Sequence, residues 1–367
     1  MAHVEVRDLT VVRGDRSAGT GVTALDDVDV FAADGELLVI LGPSGSGKST
    51  LLRVIAGLDR PTSGSVWFDG EDVTEIRPYQ RGVAMVFQDY ALYRHLTAES
   101  NIGFPLEIQG VAEPDRRTRA RAEAEHVGVD HVLDRFPFQL SAGHRQGVAT
   151  ARALIKEARV TLMDEPLSHL DSKARHSVRV ELQRIHREVG GTVIYVTNDQ
   201  SEAMALGDRL VVLDAGTVQQ VGRPEEVYRS PANRMVAGFL GTPSMAFLAA
   251  EVVGGDGGLE LLLGNDRVHL GERPRLVPWV GRPIEVGVRP EHVTIAGPGT
   301  AFNRCLHGKV VSVEDTGTAL HALVDVGAPG SRLTARVDES LPRGQSVELE
   351  VAVDRVGFFD PATGLAV

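Results

Sequence analysis

Short apolar runs recur along the first two thirds of the chain and alternate with segments of helical periodicity. The runs at residues 37–41, 160–163 and 192–196 are continuous rather than alternating. Continuous apolar runs of this length are typical of strands buried on both faces of a parallel sheet. The pattern predicts an α/β domain with a mostly parallel sheet from residue 3 to about residue 235.

Helices are predicted from the spacing of apolar residues between these runs. Val178, Leu182 and Ile185 recur on one face, which predicts an amphipathic helix from Lys173 to Val189. The charged segment from Glu113 to Glu125 is interpreted as the solvated face of another helix.

The pattern changes after about residue 240. Residues 284–288 and 347–351 alternate between apolar and polar positions with a period of two, as half-buried strands do. This half is predicted to form a small β-barrel domain or a pair of them. It contains no recognisable catalytic cluster, so a scaffold or regulatory role is expected.

Length and charge narrow the possible classes of protein. A chain of 367 residues is too long for one compact core and indicates two or more domains. The net charge of −12 argues against nucleic acid as the main partner. The single cysteine, Cys305, excludes an internal disulfide framework and suits a reducing compartment. The first residues do not resemble a signal peptide, and no apolar stretch approaches the ~20 residues needed to span a bilayer, so any membrane association is expected to require a partner.

A glycine-rich loop follows the first continuous apolar run. It fits the pattern G-x-x-x-x-G-K-[ST], in which backbone N–H groups surround phosphate oxygens at the start of a helix. The residues predicted to contact a nucleotide are Gly42, Pro43, Ser44, Gly45, Ser46, Gly47, Lys48, Ser49 and Thr50. Lys48 is predicted to reach the β- and γ-phosphates, and the Ser49 hydroxyl to bind Mg²⁺. A glycine-rich turn without a ligand is the alternative, and the coincidence of strand, loop, lysine and helix disfavours it.

Two adjacent carboxylates end the apolar run at 160–163. Ligands of open α/β sheets bind at the carboxyl ends of the strands, where Asp164 and Glu165 are expected to lie. Asp164 is predicted to hold Mg²⁺ through water, and Glu165 to polarise the attacking water. Two such carboxylates could instead cap a helix, but the phosphate-binding loop in the same domain favours the catalytic interpretation.

The segment Leu140–Ala149 reads L-S-A-G-H-R-Q-G-V-A. A serine and a glycine that open a helix combine a hydroxyl, free N–H groups and the helix dipole, and therefore suit an anion. The same residues also form an ordinary N-cap and turn, so this signal is moderate by itself.

Taken together, these motifs resemble those of ABC transporter ATP-binding subunits, in particular the carbohydrate importers of the maltose and glycerol-phosphate type. The resemblance extends over almost the whole chain. The matching segments are the Walker A motif (Gly42–Thr50), the Q-loop with Gln88, the signature (Leu140–Ala149), Walker B (Leu162–Pro166), the D-loop (Ser168–Asp171), the junction Ala237–Pro243, and the C-terminal segments Gly287–His292 and Phe359–Gly364.

The resemblance implies a fold and a set of ligands. It implies a P-loop ATPase domain at 1–235 with a helical subdomain at about 89–155, followed by an OB-like domain at 236–367 for regulation or dimerisation. ATP and Mg²⁺ would bind, with the metal held by Ser49, Gln88 and Asp164, and Glu165, Asn198 and Gln88 would be catalytic. Ser141, Ala142, Gly143 and His144 would contact the ATP of a second subunit, and Asp171 would act in the D-loop.

The resemblance also implies partners and a location. Two transmembrane permease subunits, a second ATP-binding subunit in a homo- or heterodimer, and an extracytoplasmic solute-binding protein reached through the permease are expected, without nucleic acid. The chain would lie at the cytoplasmic face of the inner membrane. Gln88 and the segment from Tyr90 to His95 would face the coupling helices of the permease.

Several positions depart from the family pattern. Asn198 replaces the switch histidine, Ala142 the first signature glycine, His144 the signature glutamine and His169 the usual D-loop asparagine. Arg13 occupies the position of the adenine-stacking aromatic residue, and its guanidinium plane could also stack on a base. For His144, a solvent-facing helical position is the simpler interpretation than a titratable contact with the second subunit.

These departures predict slow hydrolysis. Loss of a pre-organised donor to the transition state costs about 3 kcal/mol, or about a hundredfold in rate. With an unaltered partner the two kinds of defect would fall in different sites, so a heterodimer with unequal sites is the hypothesis. The alternative is an ATP-binding scaffold or regulatory subunit with little hydrolysis. A P-loop kinase, or an ABC protein of translation or DNA repair, fits the motifs and the acidic charge less well.

Overall fold

The computed structural model describes residues 2–14, 21–255, 257–297, 305–317, 319–327 and 331–367. Contacts within the chain divide it into two compact units, Met1–Glu225 and Glu226–Val367. The domain boundary near residue 235 stays a prediction.

The helices and strands have the following bounds. The helices are α1 (Lys48–Ala56), α2 (Ala98–Ile108), α3 (Glu113–His126), α4 (Ala142–Leu154), α5 (Ser172–Val189), α6 (Gln200–Leu206), α7 (Pro224–Arg229) and α8 (Arg234–Phe239). The strands of the first unit are β1 (Val4–Arg13), β2 (Val22–Ala32), β3 (Leu37–Leu41), β4 (Ser63–Phe68), β5 (Glu71–Asp72), β6 (Val83–Val86), β7 (Val160–Asp164), β8 (Thr192–Thr197), β9 (Arg209–Asp214) and β10 (Thr217–Gly222). Those of the second are β11 (Ala246–Gly255), β12 (Gly258–Leu263), β13 (Asp266–Gly271), β14 (Pro283–Val288), β15 (Val293–Ile295), β16 (Cys305–Asp315), β17 (Leu320–Val326), β18 (Arg332–Val337), β19 (Ser346–Val351) and β20 (Gly357–Phe359).

The central sheet of the first unit has the strand order β10-β9-β3-β8-β7-β6. Its strands run parallel except β10, which is antiparallel to β9. The three continuous apolar runs are β3, β7 and β8, and all five residues of β3 are buried, which confirms the predicted parallel sheet. Because Leu41 pairs with Thr197 and Asp164 with Val196, the loops that follow these three strands leave one edge of the sheet side by side.

A second, antiparallel sheet with the order β2-β1-β4-β5 packs into the same core. Helices α2, α3 and α4 form a separate cluster of buried apolar residues with the turns that connect them. The helices predicted at 113–125 and 173–189 are α3 and α5 and are confirmed.

Arg81 is a buried cation that holds the end of α1 against the following loop. Its side chain is 3% exposed and donates hydrogen bonds to the carbonyls of Val54, Ile55, Thr74 and Ile76, at 2.7 to 2.9 Å. Burial lowers the pKa of its guanidinium. The four acceptors satisfy the donors that burial removes from water.

Replacing Arg81 with Met should lower the free energy of unfolding of the first unit by about 2–3 kcal/mol, because buried carbonyls lose their donor. The chain has two tryptophans, so a Trp279→Phe background leaves Trp67 as the fluorescent reporter of this unit during urea unfolding. The exposed Arg77 provides the matched control, Arg77→Met. Equal losses in the two variants would contradict the prediction.

The second unit contains two antiparallel sheets, with the orders β13-β12-β11-β14-β20 and β15-β19-β16-β17-β18. Residues of both sheets, such as Leu248 and Leu349, belong to one hydrophobic core, in keeping with the expected OB-like barrel. Arg289 anchors the segment that precedes the sheets. It donates hydrogen bonds to the carbonyls of Leu240 and Tyr228 and lies 3.6 Å from the centre of the Tyr228 ring.

Candidate nucleotide-binding site

The loop between β3 and α1 has a backbone that only glycine fits at particular positions. Gly45 and Gly47 have φ values of +82° and +105°. A Cβ on Gly42 would lie 2.0 Å from the carbonyl oxygen of Leu213, and one on Gly47 would lie 2.5 Å from that of Ala24. The glycines therefore let the loop pack against its neighbours while its N–H groups open toward the N-terminus of α1.

Lys48 is the charged residue at the centre of this loop. Its side chain is 3% exposed, and its Nζ donates hydrogen bonds to the carbonyls of Gly42 at 3.0 Å and Pro43 at 2.8 Å. Nζ also lies 4.0 Å from a carboxylate oxygen of Glu165. Burial lowers the pKa of Lys48, while the charges of Glu165 and Asp164 oppose that shift. The ammonium is thus held beside the loop and two carboxylates.

Ser49 and Asp164 form the next pair. The Ser49 hydroxyl donates a 2.8 Å hydrogen bond to Asp164. Burial raises the pKa of Asp164, and the Ser49 hydrogen bond and the charge of Lys48 counteract part of that rise. A hydroxyl and a carboxylate in contact are oxygen donors of the kind that Mg²⁺ prefers.

Asp164→Asn should raise the stability of the protein without nucleotide. Folding raises the pKa of this carboxyl, so the folded protein holds the proton more tightly than the unfolded chain does. The ionised form therefore destabilises the fold, increasingly as pH rises from the ordinary pKa of aspartate to the raised value. We expect a gain of about 1 kcal/mol at neutral pH, which shrinks toward pH ~4, and weaker Mg²⁺-dependent ATP binding. Thermal unfolding across this pH range measures the gain. The exposed Asp134→Asn is the control, and a less stable Asp164→Asn protein would contradict the expectation.

Glu165 occupies a strained backbone position immediately after β7. Its φ is +43°, its N–H donates to the carbonyl of Val196 at 2.9 Å, and its own carbonyl accepts a hydrogen bond from the Ser168 hydroxyl. Gln88 Nε2 and Asn198 Nδ2 each lie 3.5 Å from the same carboxylate oxygen, Oε2. These long contacts place both amides around the carboxylate without fixing it tightly.

Asn198 is supported by the residues that flank it. The Asp199 side chain caps α6 through the N–H groups of Ser201 and Glu202. The Thr197 hydroxyl donates a 2.7 Å hydrogen bond to Glu202, which is 2% exposed and whose pKa burial raises. Asn198 therefore projects from a rigid turn at the end of β8.

The structure brings together Lys48, Ser49, Gln88, Asp164, Glu165 and Asn198, as predicted from the separate motifs. Arg13 forms an ion pair with Asp59 at 3.3 Å. Both Asp59 oxygens are also bound by Arg53 of α1. Base stacking by Arg13 stays a prediction.

The signature residues open α4. The Ser141 hydroxyl accepts a hydrogen bond from the His144 N–H, and Asp171 caps α5 in the same way through Ala174. The rings of His144 and His131 are in contact, and burial, His131 and Arg135 together lower the pKa of His144. Within the described ranges, no hydrogen bond or ion pair joins residues 141–144 to the phosphate-binding loop of the same chain.

Arg152 is a site residue that the motifs did not reveal. Tyr90 and Ala91, which follow Gln88, have φ values of +65° and +45°. Arg152 of α4 donates hydrogen bonds to their carbonyls at 2.8 and 2.7 Å. The helix that begins at Ser141 therefore supports the loop that contains Gln88, and no local sequence signal marks this long-range contact.

The loop fits a triphosphate by its own geometry. Among the residues that the structure describes, the Ser46 hydroxyl oxygen is buried and has no hydrogen-bond partner. The close approach at Gly42 leaves no room for a side chain in the turn. Backbone N–H groups, a buried ammonium and a helix N-terminus are donors that suit phosphate oxygens, while Ser49, Asp164 and Gln88 suit Mg²⁺. Glu165 is within reach of the same space and can accept a proton.

Family models cover most of the chain. The ABC transporter model matches residues 25–168, the MalK OB fold domain residues 241–293, and the TOBE domain residues 286–359.

Full-length relatives are also similar. The sulfoquinovosyl glycerol transport ATP-binding protein SmoE of Agrobacterium fabrum is 42% identical over 99% of both chains. The sn-glycerol-3-phosphate import ATP-binding protein UgpC 2 of the same organism is 42% identical over 99% of this chain and 94% of its own. The maltose/maltodextrin import ATP-binding protein MalK of Salmonella typhimurium is 42% identical over 92% of this chain and 90% of its own.

Solved structures agree with the fold of the first unit. The dimeric post-hydrolysis structure of the ATP-binding cassette MJ0796 with ADP and Pi superposes with a TM-score of 0.55 at 32% identity. It covers 60% of this chain and 98% of that one.

Proposed function

We propose that the chain, which belongs to the family of ABC transporter ATP-binding proteins, is the energy-coupling ATPase subunit of an importer. A sugar or a related polyol phosphate is the proposed cargo, because relatives named for maltose, glycerol phosphate and sulfoquinovosyl glycerol match nearly the whole chain. The observation that carries the proposal is the convergence of Lys48, Ser49, Asp164 and Glu165 at one edge of the sheet.

Each residue of this cluster has a proposed role. Lys48 and the loop N–H groups bind the β- and γ-phosphates of ATP, and Ser49, Asp164 and Gln88 hold Mg²⁺. The metal, when bound, neutralises charge on the phosphate oxygens. Glu165 orients a water molecule and accepts its proton.

The proposed partners are two permease subunits, a second ATP-binding subunit and, through the permease, an extracytoplasmic solute-binding protein. The proposed location is the cytoplasmic face of the inner membrane. None of the described helices is both long and apolar enough to cross a bilayer. A cleft of about 390 Å³ beside Gln88, lined by Phe87, Tyr93, Phe104 and Arg152 among others, offers an aromatic surface of the kind that receives a helix from another protein.

Hydrolysis at the site of this chain is proposed to be slow. Asn198 can donate an amide hydrogen bond, but it cannot carry the positive charge of an imidazolium. Its nitrogen lies 3.5 Å from Glu165, at the limit of a hydrogen bond. The side chain at position 198 is therefore not a strong hydrogen-bond donor to either Glu165 or the γ-phosphate.

The same departures from the family pattern support the proposal that the two ATP sites of a heterodimer are unequal. Ala142 and His144 alter the signature that acts on the second ATP, whereas Asn198 alters the site of this chain. In a heterodimer with an unaltered partner, each site contains one kind of alteration. In a homodimer, both sites contain both.

Single-turnover hydrolysis of radiolabelled ATP tests the proposal. Wild-type protein should convert bound ATP slowly, and Glu165→Gln should bind ATP with similar affinity and convert at least about a hundredfold less. Conversion at the same rate in both proteins would contradict catalysis by Glu165. ATP binding without any conversion would favour the second candidate, an ATP-binding scaffold, which the long Asn198 contact supports.

Co-purification with candidate ATPase partners separates the assemblies. A heterodimer should turn ATP over faster than the chain alone. If the chain alone dimerises on ATP and hydrolyses it as fast as a mixture with any partner, the unequal pair is wrong.

A further inference from the structure

Two imidazoles meet on the surface of the first unit. His131 lies in the turn Asp130–Val132, and His144 lies in the first turn of α4. Their Nε2 atoms are 3.3 Å apart, and their ring centres are 5.0 Å apart with planes inclined at 76°. The two Nε2 atoms are therefore within hydrogen-bond distance of each other.

This separation is what a shared metal ion requires. Two imidazole nitrogens bound to one tetrahedral Zn²⁺, each at about 2.0–2.1 Å, lie about 3.3–3.4 Å apart. Hydrogen bonds from ring N–H groups are mostly shorter, about 2.7–3.2 Å. A bond between the two rings accounts for the resting contact, and an ion can replace the proton in it.

Asp130 adds an outer contact. Its carboxylate lies 3.9 Å from Nδ1 of His131, on the far side of the ring from His144. At this distance the contact is electrostatic rather than a hydrogen bond, and the negative charge of Asp130 favours a cation near the His131 ring.

The packing beneath the pair makes the two rings neighbours. Val129 is 4% exposed and lies against Gly147, one turn after His144 on α4. A Cβ on Gly147 would lie 2.4 Å from Val129 Cγ1, so only glycine permits this approach. Val132 is completely buried in the same cluster. The pair is thus preformed by rigid packing, while the His131 side chain is 56% exposed and accessible to an ion.

At two other histidines, His126 and His307, the acidic neighbours do not converge on one nitrogen. At His126 the two carboxylates face different ring nitrogens, Glu123 at Nδ1 and Glu188 at Nε2. At His307 the same is true of Asp266 and Glu348. In the part of the chain that the structure describes, no group of three or more His, Cys, Asp or Glu residues is arranged to hold a metal, so water must complete any site at the pair.

We propose that His131 and His144 form a binding site for a divalent transition-metal ion, of which Zn²⁺ is the representative, completed by water. Imidazole ligands suit Zn²⁺ rather than Mg²⁺ or Ca²⁺. The site bridges the turn at 130–132 and the first turn of α4. It lies outside the phosphate-binding loop of this chain, and one of its ligands, His144, belongs to the signature that is proposed to act on the ATP of the second subunit. Occupation cross-links the segment that begins with Ser141.

The test uses the tag-free full chain without nucleotide. Zn²⁺ is titrated by calorimetry, and side-chain ¹⁵N NMR of histidine-labelled protein identifies the ligands. We expect one Zn²⁺ per chain, displaced Nε2 resonances of both His131 and His144, and a rise in unfolding temperature with Zn²⁺. His131→Gln and His144→Gln should each weaken binding at least about tenfold. His307→Gln, whose carboxylates cannot share an ion, should bind Zn²⁺ as the wild type does.

Both ligands lie at the surface, so their glutamine variants should fold, and circular dichroism checks that they do. Wild-type affinity in either variant would overturn the proposal. So would Zn²⁺ binding that leaves the two Nε2 resonances unmoved, or no binding by the wild-type chain. ATP binding by the phosphate-binding loop is measured separately in the same variants, so that failure of the Zn²⁺ site and failure of the proposed ATP site are distinguished.

Discussion

Replacing Asn198 with histidine is expected to raise the kcat for ATP hydrolysis about a hundredfold. Asn198 Nδ2 lies 3.5 Å from the Glu165 carboxylate at the end of β8, and the flanking Asp199 and Glu202 keep this turn in place. A longer side chain that can carry positive charge should orient Glu165 and stabilise charge that develops on the γ-phosphate. Steady-state hydrolysis of Mg-ATP by the purified chain measures the change.

Two further variants separate charge from length. Asn198→Gln lengthens the amide without adding an ionisable ring, so we expect it to recover only a small part of the gain. Glu165→Gln combined with Asn198→His should lose the gain, because the general base is absent. If Asn198→His hydrolyses ATP no faster than the wild type, the explanation of slow turnover by Asn198 is wrong.

Gly42→Ala is expected to weaken ATP binding by about 2 kcal/mol, or about thirtyfold. Its new methyl group would lie 2.0 Å from the Leu213 carbonyl oxygen and 2.7 Å from the Ser46 hydroxyl. Because one of these neighbours is backbone, the loop must move, and its N–H groups lose their alignment toward the phosphates. Equilibrium binding of a fluorescent ATP analogue, with unlabelled ATP as competitor, measures the affinity.

Gly191→Ala is the matched control for this substitution. A Cβ at Gly191 meets no atom of the described ranges within 4 Å, and the residue needs no left-handed backbone. It should therefore bind ATP as the wild type does. Comparable ATP affinity in Gly42→Ala would show that the loop tolerates the displacement, and the steric argument would fail.

The parts of this molecule that the sequence predicted are local or repetitive. The phosphate loop was predictable because β3, the glycines, Lys48 and α1 are contiguous, and each contributes a signal at fixed spacing. The parallel strands were predictable because burial on both faces requires continuous apolar runs.

The antiparallel sheet of the first unit was harder to predict from the sequence. β2 alternates irregularly between buried and exposed positions, and its pairing with β1 is interrupted by register shifts. Bulges interrupt the alternation of buried and exposed residues along a strand, so the sequence of such a strand does not show the strict period of two from which strands are predicted.

The long-range contacts of Arg81 and Arg152 were not predictable. Arg81 donates to carbonyls 26 and 27 residues away, and Arg152 to carbonyls 61 and 62 residues away. The acceptors are backbone carbonyls, which every residue has, so no residue type in the sequence marks their positions. The ion pair of Arg13 with Asp59 depends on a similar long-range approach, 46 residues apart.

The backbone of Glu165 has a consequence for the stability of the fold. At φ +43° a glutamate is less stable than glycine, asparagine or aspartate would be, so its backbone conformation lowers the free energy of unfolding. The loss of stability at this position comes with a carboxylate that is long enough to lie 4.0 Å from the Lys48 ammonium and 3.5 Å from the Asn198 amide.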